Sequence, residues 1–242
     1  MTDTVEDLRA SLERHEREAE ARAAQLERYA ADLRIVFQQE RQRTDELRRS
    51  YAATVRALAN AVEARDAYTG KHAERVAAYG LELARAAGID LGSSPEIEFG
   101  FLLHDVGKVA IPDAILFKTA RLTAEEYSLM SRHTVIGWEI LHEIEFLGDA
   151  KLVVRHHHER FDGTGYPDGL AGEDIPLAAR VFAVADTLDA LTTDRPYRAA
   201  VGWAEARAEI ERHAGTQFCP AVVDAYRRVD DAVFARIRER IQ

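Results

Sequence analysis

Three histidines in succession, His156-His157-His158, run directly into Glu159-Arg160-Phe161-Asp162-Gly163-Thr164-Gly165-Tyr166-Pro167. Upstream stand His104-Asp105-Val106-Gly107-Lys108, and downstream Asp186 and Asp189 interrupt an apolar run. Imidazole and carboxylate together suit divalent cations such as Mn, Fe, Zn, Co or Ni. Two such cations about 3.5–4 Å apart can activate a shared water at neutral pH. They can also bind phosphate oxygens and offset developing charge. The pattern therefore suggests metal-assisted hydrolysis of a phosphate ester.

Each cluster also admits a plainer explanation. Asp105 lies among Phe99, Phe101, Leu102, Leu103, Val106 and Val109, where a charge is costly unless it is paired or metal-bound. Either it bridges two cations through its two oxygens, or it forms a buried pair with His104 while Lys108 faces outward. On a continuous helix Lys108 would project on the same side as both. His157 and His158 either ligate neighbouring cations, with His156 turned elsewhere, or belong to an exposed run. Asp186 is either a ligand or half of a buried salt bridge with Arg180 or Arg195. Asp189, one turn further on, can orient a histidine. Arg195 and Arg198 fit as phosphate forks or as ordinary surface arginines. His72 and His133 carry weight only by joining these groups. His15, His142 and His213 have no such company and read as surface or core residues.

The elements that must bring these side chains together read as helices. The 242 residues hold only 14 glycines and 6 prolines, and 47% are hydrophobic, enough for a core. Residues 4 to about 65 read as one helix with a stripe of Leu8, Leu12, Leu26, Tyr29, Leu33, Val36 and Leu47 at steps of mostly three and four. That stripe fits either a parallel dimeric coiled coil or a helix packed on its own domain. The pattern predicts helix from Val62 to Ala87 and a start at Ser93-Ser94-Pro95-Glu96 leading through His104-Asp105 to about Val109. A capping box at Thr123 to Glu126 opens a helix carrying His133. Further helices are expected at Gly137–Glu143, from about Asp149 to the histidine triplet, and at Leu177–Leu191. Trp203–Ala214 and Pro220–Arg240 close the chain. The glycine-rich loop spans Asp162 to Glu173, and no strand alternation appears. The expected division is a coiled-coil or signalling helix over 1–54 and a globular domain over 55–242.

The net charge of −10 argues against bulk attraction to nucleic acid or acidic lipid. Cys219 is the single cysteine, which excludes an internal disulfide and suits a cytoplasmic protein. No apolar leader or membrane span is expected.

Taken together, the motifs resemble the HD-GYP subgroup of the HD-domain phosphohydrolases. The resemblance rests on Asp66-Ala67-Tyr68-Thr69-Gly70-Lys71-His72, His104-Asp105-Val106-Gly107-Lys108 with Ile111-Pro112-Asp113, His133, and His157-His158-Glu159-Arg160. It continues through Asp162-Gly163-Thr164-Gly165-Tyr166-Pro167, Ala185-Asp186, Asp189-Ala190-Leu191-Thr192 and Arg195-Pro196-Tyr197-Arg198. It implies an all-α helical bundle and cyclic di-GMP phosphodiesterase activity, giving pGpG and in some members GMP. It implies metal ligands at His72, His104, Asp105, His133, His157, His158 and Asp186, with Fe or Mn as the metals. Lys108 would lie near the scissile phosphate, and Tyr166, Arg195 and Arg198 would contact substrate. The loop of Asp162, Gly163, Gly165, Tyr166 and Pro167 is linked in the family to diguanylate cyclase partners. Some members hold a third metal through a glutamate four residues before the first histidine. Here that position is Tyr68, so two metals are implied. Phe218-Cys219-Pro220 replaces the family's usual Phe-Asp-Pro, away from the chemistry. The expectation is a cytoplasmic phosphodiesterase, homodimeric through its N-terminal helix, which resembles one that follows a sensor. The rivals are a non-catalytic cyclic-dinucleotide receptor and a hydrolase of another cyclic dinucleotide. Receptor-type members lose metal ligands, and this chain keeps all seven positions.

Overall fold

A computed structural model describes residues 2–65, 71–194 and 198–241, with side chains from Val5 onward. Tyr68 and Arg195 lie outside the described residues. The chain divides into two compact units, Met1–Ala52 and Ala53–Gln242.

Helix α1, Thr2–Glu63, is unbroken, as expected of a tract without glycine or proline. In the first unit its apolar stripe is uncovered: Leu8, Leu12, Leu26, Tyr29, Leu33, Val36 and Leu47 are 48% to 70% exposed.

The second unit contains helices and no strand among the described residues. After the end of α1 come α2 (His72–Ala86), α3 (Ile97–Leu102), α4 (Asp113–Leu116), α5 (Ala124–Ser131), α6 (His133–Leu141) and α7 (Ala150–His156). They are followed by α8 (Leu177–Thr192), α9 (Trp203–Arg212), α10 (Pro220–Arg227) and α11 (Asp231–Arg240). α2 and α8 pack along each other; α3 packs on α2 and α7, α7 and α9 on α8, α10 on both α2 and α8, and α11 on α2. Between them lie Val76, Tyr79 and Leu83 of α2, Phe101 of α3, Val181, Phe182 and Leu188 of α8, Tyr226 of α10 and Phe234 of α11, all without exposed surface. Burying an aliphatic or phenylalanine side chain this fully contributes about 1.5–3 kcal/mol relative to leaving it in water.

Four details of the helix pattern differ from the sequence reading. The helix does not continue from Val62 into α2, because the chain turns at Ala64-Arg65 after α1. The apolar run through Phe101 is not one helix. α3 stops at Leu102, Leu103 and Asp105 adopt φ −97°, and a 3-10 turn, Val106–Ala110, follows. His133 opens α6 rather than lying within the preceding helix, although the capping box at Thr123 is present. The C-terminal stretch is two helices, separated where the Asp230 carboxylate caps Ala232 N–H at 2.8 Å.

The break in the third helix is enforced by close packing. The 3-10 turn lies against α6, and a Cβ at Gly107 would stand 1.9 Å from the His133 carbonyl oxygen. Only glycine permits that approach, which brings the His104-Asp105 turn beside the start of α6. The end of α1 fastens the same region. Glu63 accepts from the Ala73 N–H in the first turn of α2, and Arg65 donates to the Val109 carbonyl (2.6 Å) and the Asp113 carboxylate (2.7 Å).

Candidate metal centre

Four helices and one turn converge on a single buried patch of imidazoles and carboxylates. His72 comes from the start of α2, His104 and Asp105 from the break after α3, and His133 from the start of α6. His157 and His158 follow the end of α7, and Asp186 lies within α8. Two adjacent groups result. Asp105, His133, His157 and His158 offer one ligand atom each, all within 4.8 Å of one another, and so do His72, His104 and Asp186. Asp105 joins them: its Oδ1 lies 3.3 Å from His133 Nε2, and its Oδ2 lies 3.0 Å from His104 Nε2. All seven ligand positions implied by the resemblance are thus brought together. His72, His104, His133 and His157 are no more than 7% exposed.

The histidines are aimed. His104, His133 and His157 each place Nδ1 at 2.8–3.0 Å from the carbonyl oxygen three residues earlier, that of Phe101, Met130 and Val154. A carbonyl only accepts, so each Nδ1 carries a proton and each Nε2 is turned to the centre; on His133 and His157, which burial holds neutral, that Nε2 presents a lone pair. His133 Nε2 and His157 Nε2 consequently face each other at 3.3 Å with no proton between them. Such nitrogens fit a shared cation, and the donor set of imidazoles with two carboxylates fits a divalent one.

His72 is held differently. Its Nδ1 lies 2.7 Å from Asp189 Oδ2, and its Nε2 lies 3.3 Å from Asp186 Oδ1. Asp189 is also gripped by Arg75, at 2.7 Å from Nε and 3.1 Å from Nη2. Asp189 therefore faces a histidine and is also paired with Arg75; the salt bridge weighed for Asp186 is not to Arg180, which donates to Cys219 Sγ, while Arg195 lies outside the described residues. The sequence reading missed Arg75. Its only signal was a charged residue one turn after His72 on the same helix face.

The electrostatics divide the groups into two kinds. Burial works against ionisation of Asp105, yet His104 and Lys108 beside it hold the carboxyl well below its usual range. Burial also opposes Asp186, and the hydrogen bond from His72 more than offsets it, leaving that carboxyl low. Burial would lower His72, but Asp186 and Asp189 hold it up at about 10. In contrast, burial pushes His157 far down and His158 down to about 4, assisted by neighbouring imidazoles. Neutral imidazoles and ionised carboxylates are the forms that bind metal.

Lys108 places Nζ 2.8 Å from Asp105 Oδ2, on the same side as the cluster. Tyr166 tilts over His158 at a 4.8 Å ring separation, and Tyr127, which the sequence reading did not single out, meets it edge-on at 6.0 Å. Arg198 is exposed and donates to the Ala190 carbonyl, at the end of α8 and outside the cluster. The loop residue Asp162 accepts from Thr164 Oγ1 (2.6 Å), Thr164 N–H (3.1 Å) and Arg160 (3.2 Å). A Cβ at Gly165 would lie 2.3 Å from the Arg160 nitrogen, so the loop closes on its own stem. His142 is exposed and stacks on Trp138, outside the centre, as expected.

A family model described as HD domain matches residues 56–222. The chain is 43% identical over 177 residues to the cyclic di-GMP phosphodiesterase response regulator RpfG of Xanthomonas campestris, covering 72% of this chain and 47% of that protein. It is 40% identical over 201 residues to 3'3'-cGAMP-specific phosphodiesterase 2 of Vibrio cholerae, covering 82% of this chain and 38% of that protein. The chain thus spans less than half the length of these curated relatives. A solved cyclic GMP-AMP-specific phosphodiesterase of Vibrio cholerae has the same fold, with a TM-score of 0.55 at 17% identity, over 76% of this chain and 53% of that one.

Proposed function

The chain belongs to the HD-domain family, in its HD-GYP branch, and from that membership we propose that it is a metal-dependent phosphodiesterase of cyclic dinucleotides, with cyclic di-GMP as substrate. The observation that carries the reading is the pair of proton-free nitrogens of His133 and His157 facing each other beside Asp105. Two divalent cations, Fe or Mn, would be held by His72, His104, Asp105 and Asp186 on one side and by Asp105, His133, His157 and His158 on the other. Bound there, they supply Lewis acidity, making water nucleophilic at neutral pH and drawing charge from phosphate oxygens.

The protein's own groups prepare the rest. Nδ1 bonds to carbonyls and to Asp189 fix the direction of four imidazoles, so their alignment is set before substrate arrives. Lys108 stands against Asp105 with a positive charge that a phosphate oxygen can meet. Tyr166 and Tyr127 offer ring faces for a nucleobase beside His158. Arg195 and Arg198 remain candidates for the second phosphate. Hydrolysis forms a bond from water oxygen to phosphorus and breaks the bond to the 3′ oxygen, which leaves with a proton as a hydroxyl. The linear product is pGpG, and a second round would give GMP.

The same reading extends to the surroundings. Residues 1–54 serve as a signalling helix and 55–242 as the catalytic domain. The uncovered stripe of α1 supports a homodimer, since a narrow apolar stripe on so long a helix cannot bury itself. A sensor or a diguanylate cyclase is the expected partner. No helix among the described residues is long and apolar enough to cross a membrane, and the proposed setting is the cytoplasm. The cGAMP-specific relative, which matches 82% of the chain, favours cyclic GMP-AMP as a second substrate.

The test is turnover of both dinucleotides by protein purified without oxygen and loaded with Fe(II) or Mn(II), with products identified by mass. Linear dinucleotide is expected from the wild-type chain, and none from a folded Asp105→Ala variant. Undiminished hydrolysis by that variant, or binding without turnover by the loaded wild type, would overturn the reading.

A further inference from the structure

On the far side of the histidine triplet, His156 turns away from its two neighbours and meets Glu159 and Asp168. Its Nδ1 lies 3.8 Å from Glu159 Oε1 and 3.6 Å from Asp168 Oδ2. The three side chains offer one ligand atom each, all within 4.8 Å of one another. The imidazole is 9% exposed and the Glu159 side chain 0%. Two of their polar atoms, His156 Nδ1 and Glu159 Oε2, are buried without a hydrogen-bond partner. A carboxylate oxygen and an imidazole nitrogen buried without partners are each costly unless something satisfies them.

The remaining oxygens are already positioned. Glu159 Oε1 also accepts from the Asp168 N–H at 2.8 Å, which fixes the carboxylate in place. Arg155 holds Asp168 in a two-pronged grip, with Nε to Oδ2 and Nη2 to Oδ1 both at 2.8 Å. That guanidinium neutralises Asp168 and does not reach Glu159 in the bonds it makes. Carboxylates held from behind by N–H donors and facing an imidazole are the arrangement found around bound cations. His156 Nδ1 stands 3.6 Å from Asp168 Oδ2 and 3.8 Å from Glu159 Oε1, separations that suit a cation with bonds of about 2.0–2.2 Å to nitrogen and oxygen.

We propose that His156, Glu159 and Asp168 form a separate mononuclear site for a zinc-class divalent cation, which ties the Gly-Tyr-Pro loop to the end of α7. Glu159 and Asp168 bracket the loop that carries Tyr166, while His156 belongs to the helix that delivers His157 and His158. A cation here closes the loop on its stem and sets where Tyr166 stands. The site uses none of the seven residues of the larger centre, so it stands whether or not that centre is catalytic.

The experiment counts zinc bound by the full chain in competition with a chromophoric chelator. Four proteins are compared: wild type, His156→Ala, Asp105→Ala/Asp186→Ala, and the triple variant. His156→Ala is expected to remove about one equivalent of zinc in both backgrounds. An unchanged stoichiometry would overturn the proposal. So would a loss confined to the wild-type background, because His156 would then act through the larger centre. Should His156→Ala fail to fold by circular dichroism, the isosteric Glu159→Gln takes its place in both backgrounds. Loss of one equivalent in each then supports the site, and either of the other two results overturns it.

Discussion

Asp189 Oδ2 lies 2.7 Å from His72 Nδ1, joining the last turn of α8 to the first residue of α2. The same carboxylate holds Arg75, so one acid fixes both a candidate ligand and a buried cation. Asp189→Asn keeps the shape and removes the charge. Metal affinity should fall about 10- to 100-fold as His72 loses its orienting partner. Stability should fall as well, because Arg75 loses one of the two acids beside it, keeping Glu63. Metal titration and thermal unfolding measure the two effects, and excess metal should restore part of the turnover.

Lys108→Ala should lower kcat by about 10²- to 10³-fold if its ammonium offsets charge on the reacting phosphate. Metal content should change little, since Lys108 is not a ligand. Lys108→Arg should recover part of the rate. Steady-state kinetics on metal-loaded protein decide this, and an unaltered kcat would remove Lys108 from the chemistry.

Gly107→Ala tests the packing that places the His104-Asp105 turn. The added Cβ would meet the His133 carbonyl at 1.9 Å, too close for small adjustments. Overpacking costs typically 1–3 kcal/mol and more where backbone is struck. For a chain of this size that corresponds to a Tm fall of about 2–4 °C per kcal/mol. Metal binding should weaken in parallel, because the displaced groups carry His133 and Asp105.

Asp162 gives the loop an acid limit. Hydrogen bonds from the Thr164 hydroxyl and N–H, then Arg160, hold its carboxyl down at about 2. A depressed carboxyl contributes stability that is present above its unfolded value, near 4, and is lost as pH falls toward 2. Asp162→Asn should therefore flatten the dependence of Tm on pH between about 4 and 2, the window in which the wild type loses this contribution. Thermal melts across that range measure it.

Leu26→Asp combined with Leu33→Asp should convert a dimer to a monomer, since both sit on the exposed stripe of α1 and a charge there cannot enter a helix seam. Light scattering after size-exclusion chromatography reads the mass directly. A wild-type monomer would discard the dimer.

Much of the centre was legible in the chain, and unevenly. Asp105 and Asp186 stood out because a carboxylate in an apolar run must be satisfied. His72 and His133 had no local signal and were identified only through the family pattern. Arg75 was invisible, because its partner lies 114 residues away and only the packing of α2 on α8 joins them. The break after Leu102 was missed because an apolar run reads as continuous helix. What interrupts it is the contact of Gly107 with α6, which local sequence does not encode. The triplet was read correctly as divergent, but the destination of His156 depended on where the loop returned Asp168.

Asp105 turns one oxygen to His133 and the other to His104, and so belongs to both halves of the centre. Under the proposed two-cation reading, a change at residue 105 takes an oxygen from both halves at once rather than leaving a one-ion catalyst. On that reading, the identity of residue 105 is the first thing to inspect when sorting working copies of this domain from retired ones.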